Sequence, residues 1–302
     1  MVTLKQNFKN IQVDPWTIQQ ALCWAGSFLQ EKVPDPRLSA EVLLGSVRGL
    51  NRPGLIVHFD HTLPEKEKHQ FQEKIFRRAD QEPIAYLVGQ KEFWSLQFTV
   101  NPQVLIPRPE TELLVEQAIL IASSRPAPMV LVELGTGSGA VAVALAKSLN
   151  PSRTTRILAT DISVGAINAA RKNIDAHGLG KTIHLVQGDW LTPFSTRSRW
   201  IDLLISNPPY ISELEMRSLP KTVKRYEPIK ALYGGSDGLE ALRQIIAQAA
   251  NQLNPGGWLL LEIGETQGPR IKALAQQYPF SSITVLRDHA GKDRILKASY
   301  HG

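Results

Sequence analysis

The chain has 302 residues, 43% hydrophobic and 21% charged, a composition that excludes collagen-like repeats and a disordered polymer. Its length suggests about two domains and suffices to bury a core without disulfide staples, while the single cysteine, Cys23, excludes both an internal disulfide and a thiolate metal cluster and fits a reducing cytoplasm. The net charge of +6 is unevenly spread, with 11 basic and 10 acidic side chains in residues 1–88 and 23 and 18 in residues 89–302. That mild excess permits nucleic-acid or ribosome-associated partners without arguing for them.

In chain order, Met1–Asp14 has lysines but no apolar core, so no secretory signal is expected. A first helix is predicted from Pro15 to about Glu31, with Asp14 as N-cap and Trp16, Leu22, Trp24, Phe28 and Leu29 near one face. A second apolar stripe runs through Leu38, Val42, Leu43, Val47 and Leu50 until Pro53 breaks it. A third stretch, Pro64–Ala79, is so charged that it is expected on the outside. Residues 1–88 therefore read as a helical N-terminal domain, suited to contact and devoid of a catalytic constellation. Residues 89–112 change character. Alternation at Phe93, Leu96, Phe98 and Val100 predicts a β-hairpin linker, with Asn101-Pro102 as its turn, before Thr111-Glu112 leads into a helix.

Residues 113–302 alternate short apolar runs with helical stretches. Strands are predicted at Met129–Glu133, Ile157–Thr160, Ile183–Val186, Ile201–Ser206, Trp258–Ile263 and Ile283–Leu286. Helices fit at Ala140–Leu149, Val164–Ala176 and Leu239–Leu253. This is the signature of an α/β fold, a parallel sheet with helices on both faces. The apolar runs are too short for the ~20 residues of a membrane span.

Four strand ends carry the candidate chemistry. Glu133-Leu134-Gly135-Thr136-Gly137-Ser138-Gly139-Ala140 follows the first predicted strand and opens a helix, so bare backbone and free N–H groups can approach a ligand. Alone it also fits a dinucleotide site. Asp161 ends the second strand, where a carboxylate can take both hydroxyls of a ribose or cap a helix. Asp189-Trp190 ends the third, where an acid could meet an adenine amino group and an indole cover its ring, or the indole could simply be core. Asn207-Pro208-Pro209-Tyr210 ends the fourth. The nitrogen of a planar amide or of an exocyclic amine is a poor nucleophile because its lone pair is delocalised. If its N–H groups donate to the Asn207 side-chain oxygen and the Pro208 carbonyl, the lone pair can be aimed, while Tyr210 packs on the flat face of the group. No protein nucleophile or metal is needed. Gly180-Lys181-Thr182 lacks the first glycine of a phosphate loop, His58 and His61 lack a third ligand, and the basic stretch Arg217, Lys221, Lys224, Arg225 and Lys230 reads as a solvated face.

The order of these motifs resembles the class I S-adenosylmethionine-dependent methyltransferases. Pro107-Arg108-Pro109-Glu110-Thr111-Glu112 and Arg225-Tyr226-Glu227-Pro228 narrow the resemblance to the HemK/PrmC family of release factor glutamine methyltransferases. The resemblance implies a Rossmann-like methyltransferase domain that methylates the side-chain amide nitrogen (N5) of the glutamine in the Gly-Gly-Gln motif of peptide chain release factors. It implies S-adenosyl-L-methionine as cofactor and S-adenosyl-L-homocysteine as product. Gly135, Thr136, Gly137, Ser138, Gly139, Asp161, Asp189 and Trp190 would hold the cofactor, Asn207 would touch cofactor and substrate, and Asn207, Pro208, Pro209 and Tyr210 would bind the glutamine amide. A cytoplasmic monomer that needs neither nucleic acid nor membrane is expected. The rivals are a DNA or RNA nucleobase amino-methyltransferase, which shares the cofactor site but would be expected to carry a strongly basic recognition module, and a nicotinamide dehydrogenase, which gives Asn207-Pro208-Pro209-Tyr210 no role.

Overall fold

The computed structural model describes residues 16–149, 155–194 and 198–302, and the chain divides into two compact units at Val88/Gly89. In the first unit, helices α1 (Ile18–Leu29), α2 (Pro36–Arg48), α3 (Arg52–Val57), α4 (Glu65–Ala79) and α5 (Ile84–Val88) surround one core. Helix α1 starts at Ile18, because Thr17 and Gln20 form a reciprocal capping box. Asp14 and Pro15, expected to open it, lie outside the described residues. Its buried face is Ile18, Ala21, Ala25 and Leu29. The aromatic side chains Trp24 and Phe28, expected on that face, are only half-buried and pack on each other and on Phe76. Helix α2 ends at left-handed Gly49, and Pro53 stands in the first turn of α3, where its missing N–H costs nothing. Charged α4 is not merely external, since Phe71 and Ile75 are fully buried. Each such side chain contributes roughly 1.5–3 kcal/mol.

The second unit opens with strands β1 (Gln90–Phe93) and β2 (Leu96–Thr99), an antiparallel hairpin. Its turn is Trp94-Ser95, both at positive φ (54° and 56°), and not Asn101-Pro102. Two such residues give the backbone twist that a two-residue hairpin needs. Residues 89–112 are not a free-standing connector: Phe93 and Phe98 lie in the core of this unit. After α6 (Glu112–Ser123) come β3 (Met129–Leu134), α7 (Ala140–Ser148), β4 (Thr155–Asp161), α8 (Val164–Ala176), β5 (Ile183–Gln187) and β6 (Ile201–Ser206). They are followed by α9 (Glu213–Ser218), α10 (Lys221–Tyr226), α11 (Glu240–Gln252), β7 (Leu253–Glu262), α12 (Gly268–Ala275), β8 (Phe280–Arg287) and β9 (Asp293–Tyr300).

Seven strands make one sheet in the order β5-β4-β3-β6-β7-β9-β8. The sheet is parallel except for β9, a strand the sequence did not reveal, which inserts antiparallel between β7 and β8. Alternate residues of β3, Leu131 and Val132, enter different cores, one with α6–α8 and one with α11 and α12. No helix among the described residues is long and apolar enough to cross a membrane.

Candidate active site

The chain runs from β3 outward to β4 and β5, then returns to β6 on the other side of β3. Leu134 and Ser206 are paired at the ends of these two parallel strands. The loops that leave them diverge, and a crevice must open there, as at any switch point of an open α/β sheet. Behind it lies a cleft of about 350 Å³ whose wall includes Gly135, Gly137, Asp161, Asp189, Trp190 and Asn207. All four strand ends singled out in the sequence thus contribute to one cavity.

The glycine loop is shaped from beneath. Gly135, Gly137 and Gly139 have φ of 70°, 56° and 80°, conformations that L side chains rarely adopt. A Cβ on Gly139 would also stand 3.2 Å from that of Ala170. Thr136 and Ser138 are buried inside the loop and do not line the cleft. The Thr136 amide donates to the Thr160 carbonyl (2.8 Å), and its hydroxyl donates to Glu133 (2.7 Å). Glu133 also accepts the Ala142 amide (3.1 Å) at the start of α7. Burial pushes its carboxyl up to about 8. From α8, the Asn173 side chain donates to the Ser138 carbonyl (2.8 Å) and exchanges two bonds with Thr99 of the hairpin.

Asp161 accepts the Gly137 amide on one carboxylate oxygen and the Ser163 amide on the other, each at 2.9 Å. Burial raises its pKa despite these bonds. It does not cap α8, because Ser163 does. Its partners instead tie the first strand end to the second. Trp190 adopts φ 48°, and its indole N–H donates to Gln244 (3.0 Å). A Cβ on Gly135 would touch the Trp190 ring at 3.6 Å, so the indole and the bare loop face each other. Asp189 is exposed at the rim.

Two further walls were not legible as site residues, namely Gln103–Leu105 and Pro228–Ala231. The buried Glu227 joins them. It accepts the Ile106 amide (3.3 Å) and pairs with Arg108 (2.5 Å). The two motifs that narrowed the family resemblance are therefore two halves of one clasp.

At the fourth strand end, Asn207 and Pro209 line the cleft, whereas Pro208 is buried and Tyr210 lies behind the wall. The Asn207 side-chain amide donates to the Thr111 hydroxyl (3.0 Å). That hydroxyl donates to Glu262 (2.7 Å), and the Tyr210 hydroxyl donates to the other Glu262 oxygen (3.2 Å). Gln267 fixes the Tyr210 backbone by donating to its carbonyl (2.9 Å). Glu262 ends β7, one strand over from Asn207. Its sequence signal was a single carboxylate at the carboxyl end of the run Leu259–Ile263, which reads at first as plain core. Among the described residues, no group of three or more His, Cys, Asp or Glu side chains is placed to hold a metal.

Comparison with known proteins agrees with this architecture. Residues 20–89 match the PrmC N-terminal domain, and residues 111–223 match the methyltransferase small domain. The chain is 39% identical to the release factor glutamine methyltransferase of Geobacter sulfurreducens, over 93% of this chain and 96% of that protein. It is 43% identical to the protein of the same name from Moorella thermoacetica, over 88% and 92% of the two chains. Among solved structures, the hMettl16 catalytic domain in complex with a 3'UTR hairpin has a similar fold (TM-score 0.56, 17% identity, covering 92% of this chain and 91% of that one).

Proposed function

As a member of the release factor glutamine methyltransferase family, the chain methylates a protein glutamine, and we propose that the cleft at the carboxyl edge of its sheet is where S-adenosylmethionine and that glutamine meet. The observation that carries this reading is the convergence of four strand ends on one cavity of about 350 Å³. The nucleobase alternative has no such support, since relatives named for release factors match the chain nearly end to end.

The residues present suit a nucleoside sulfonium. Gly135 and Gly137 leave backbone bare at the wall. Asp161 retains lone pairs beyond its two amide bonds, enough to accept ribose hydroxyls. Trp190 and Ile162 offer apolar surface for a purine ring. The cofactor supplies an electrophilic methyl on a sulfonium, which leaves as a neutral thioether.

The protein's own contribution is orientation. The Asn207 side-chain oxygen, at the wall of the cleft, would accept an N–H group of the substrate amide, so that its nitrogen lone pair turns out of conjugation toward the methyl. The nitrogen would take up the methyl group that the cofactor supplies, and the surplus amide proton would pass to solvent. Fixed dipoles that need no rearrangement during the reaction are the main source of rate. The N-terminal unit would hold the rest of the release factor, because a lone primary amide carries too little surface for selectivity.

Calorimetric titration with S-adenosylhomocysteine tests the placement. Asp161→Ala should weaken binding by roughly 1.5–3 kcal/mol, the scale of hydrogen bonds to a charged group. Unchanged affinity would remove Asp161 from the ribose site.

A further inference from the structure

We propose that Thr111 and Glu262 are positioning residues that hold the Asn207 amide with its oxygen turned toward the cleft. The inference rests on the reading of Asn207 given above and adds what sets the direction of its side chain. An asparagine amide can be turned over at little steric cost, yet the two orientations are chemically opposite. One presents an acceptor to the substrate N–H groups and the other presents donors that repel them.

The choice is made behind the wall. Glu262 is 1% exposed. Its two oxygens accept the hydroxyls of Thr111 (2.7 Å) and Tyr210 (3.2 Å). An ionised carboxylate can only accept, so Thr111 must spend its single proton on Glu262. The Thr111 oxygen is then left to accept, and the Asn207 NH₂ fills that role at 3.0 Å. The Asn207 oxygen has no hydrogen-bond partner among the described residues and is free for a ligand. The order of donors thus runs from Asn207 to Thr111 to Glu262, and the carboxylate fixes its sense.

Protonation of Glu262 removes that constraint. Its O–H can donate to Thr111, whose proton is then free to donate to the Asn207 oxygen, turning the amide over. Several groups set where this happens. Burial raises the Glu262 pKa to about 7, Thr111, Arg294 of β9 and Tyr210 lower it, and the Glu110 charge raises it. Arg294 is itself paired with Asp288 (3.0 Å), and both Arg294 and Arg108 act on Tyr210. Turnover should therefore rise between about pH 6 and pH 8 as Glu262 ionises.

The test uses the full-length protein, S-adenosylmethionine and a purified release factor. Thr111→Val removes donor and acceptor at nearly constant shape. It should lower kcat about 10- to 100-fold, by analogy with a lost oxyanion-hole group, with affinity for S-adenosylhomocysteine within about 2-fold. Thr111→Ser should restore most of the lost kcat. In Glu262→Gln the rise of kcat with pH should vanish. Wild-type kcat in Thr111→Val, or loss of product binding along with kcat, would overturn the positioning role. So would an unchanged pH profile in Glu262→Gln. Asn207→Ala separates the two claims: if it is inactive while Thr111→Val is normal, only the positioning inference falls, whereas a fully active Asn207→Ala removes the reading of the cleft beneath it.

Discussion

Individual residues act here through what they receive as much as through what they touch. Asn207 is expected to matter most as the substrate nitrogen leaves planarity. Asn207→Ala should therefore lower turnover on the order of 10²-fold and affect S-adenosylhomocysteine affinity much less, as steady-state kinetics beside calorimetry would reveal. Glu133 makes a different prediction. Its folded pKa, about 8, stands above the usual 4.5 because of burial. The native state therefore holds a proton that the unfolded chain has released, and the stability this gives is present in full below about pH 4.5 and is lost as pH rises toward 8. Denaturant titrations should find Glu133→Gln less sensitive to pH across that window, and an equal slope in both proteins would refute the assignment. Asp161 and Asn207 were legible in the sequence because each directly follows an apolar run and a strand's carboxyl end is where ligands bind. Glu262 was hidden because its run reads as core, and its meaning depends on which strand lies beside it.

Elements carried their signals unequally. The β3–α7 turn announced itself through three glycines at positive φ, and Gly139→Ala should cost about 1–3 kcal/mol, from the left-handed conformation and the 3.2 Å approach to Ala170. Thermal denaturation would measure it, and a neutral outcome would mean the loop can relax. The hairpin misled because Asn-Pro is a stronger turn signal than Trp-Ser, yet Phe93 and Phe98 can both reach the core only if the chain reverses at Trp94-Ser95. Ser95 there sits at φ 56°, so Ser95→Gly should stabilise the fold by up to about 1 kcal/mol. Strand β9 escaped notice because Ile295 and Leu296 face opposite cores while Lys297 and Ser299 interrupt the run. Its place between β7 and β8 is a property of topology that no local pattern encodes.

At the scale of the whole chain, the proposed reading gives the nearly neutral helical unit and the sheet unit different tasks. Every cleft residue lies after Gly89, while binding energy remote from the reacting amide supplies orientation that the amide cannot. A chain beginning at Gly89 should bind S-adenosylhomocysteine normally yet methylate a release factor with a much lower kcat/KM. Equal kcat/KM would deny residues 1–88 a part in substrate docking. The family of the chain was readable from its motifs, whereas the linkage of Arg108 to Glu227, and of Asn207 through Thr111 to Glu262, required the fold, because partners 119, 96 and 151 residues apart become neighbours only in three dimensions. The most direct test of the central claim is transfer of a labelled methyl group from S-adenosylmethionine to a purified release factor, run beside the same factor with the glutamine of its Gly-Gly-Gln motif replaced by alanine. Label should enter the first protein and not the second, and equal labelling of both, or of neither, would contradict the account.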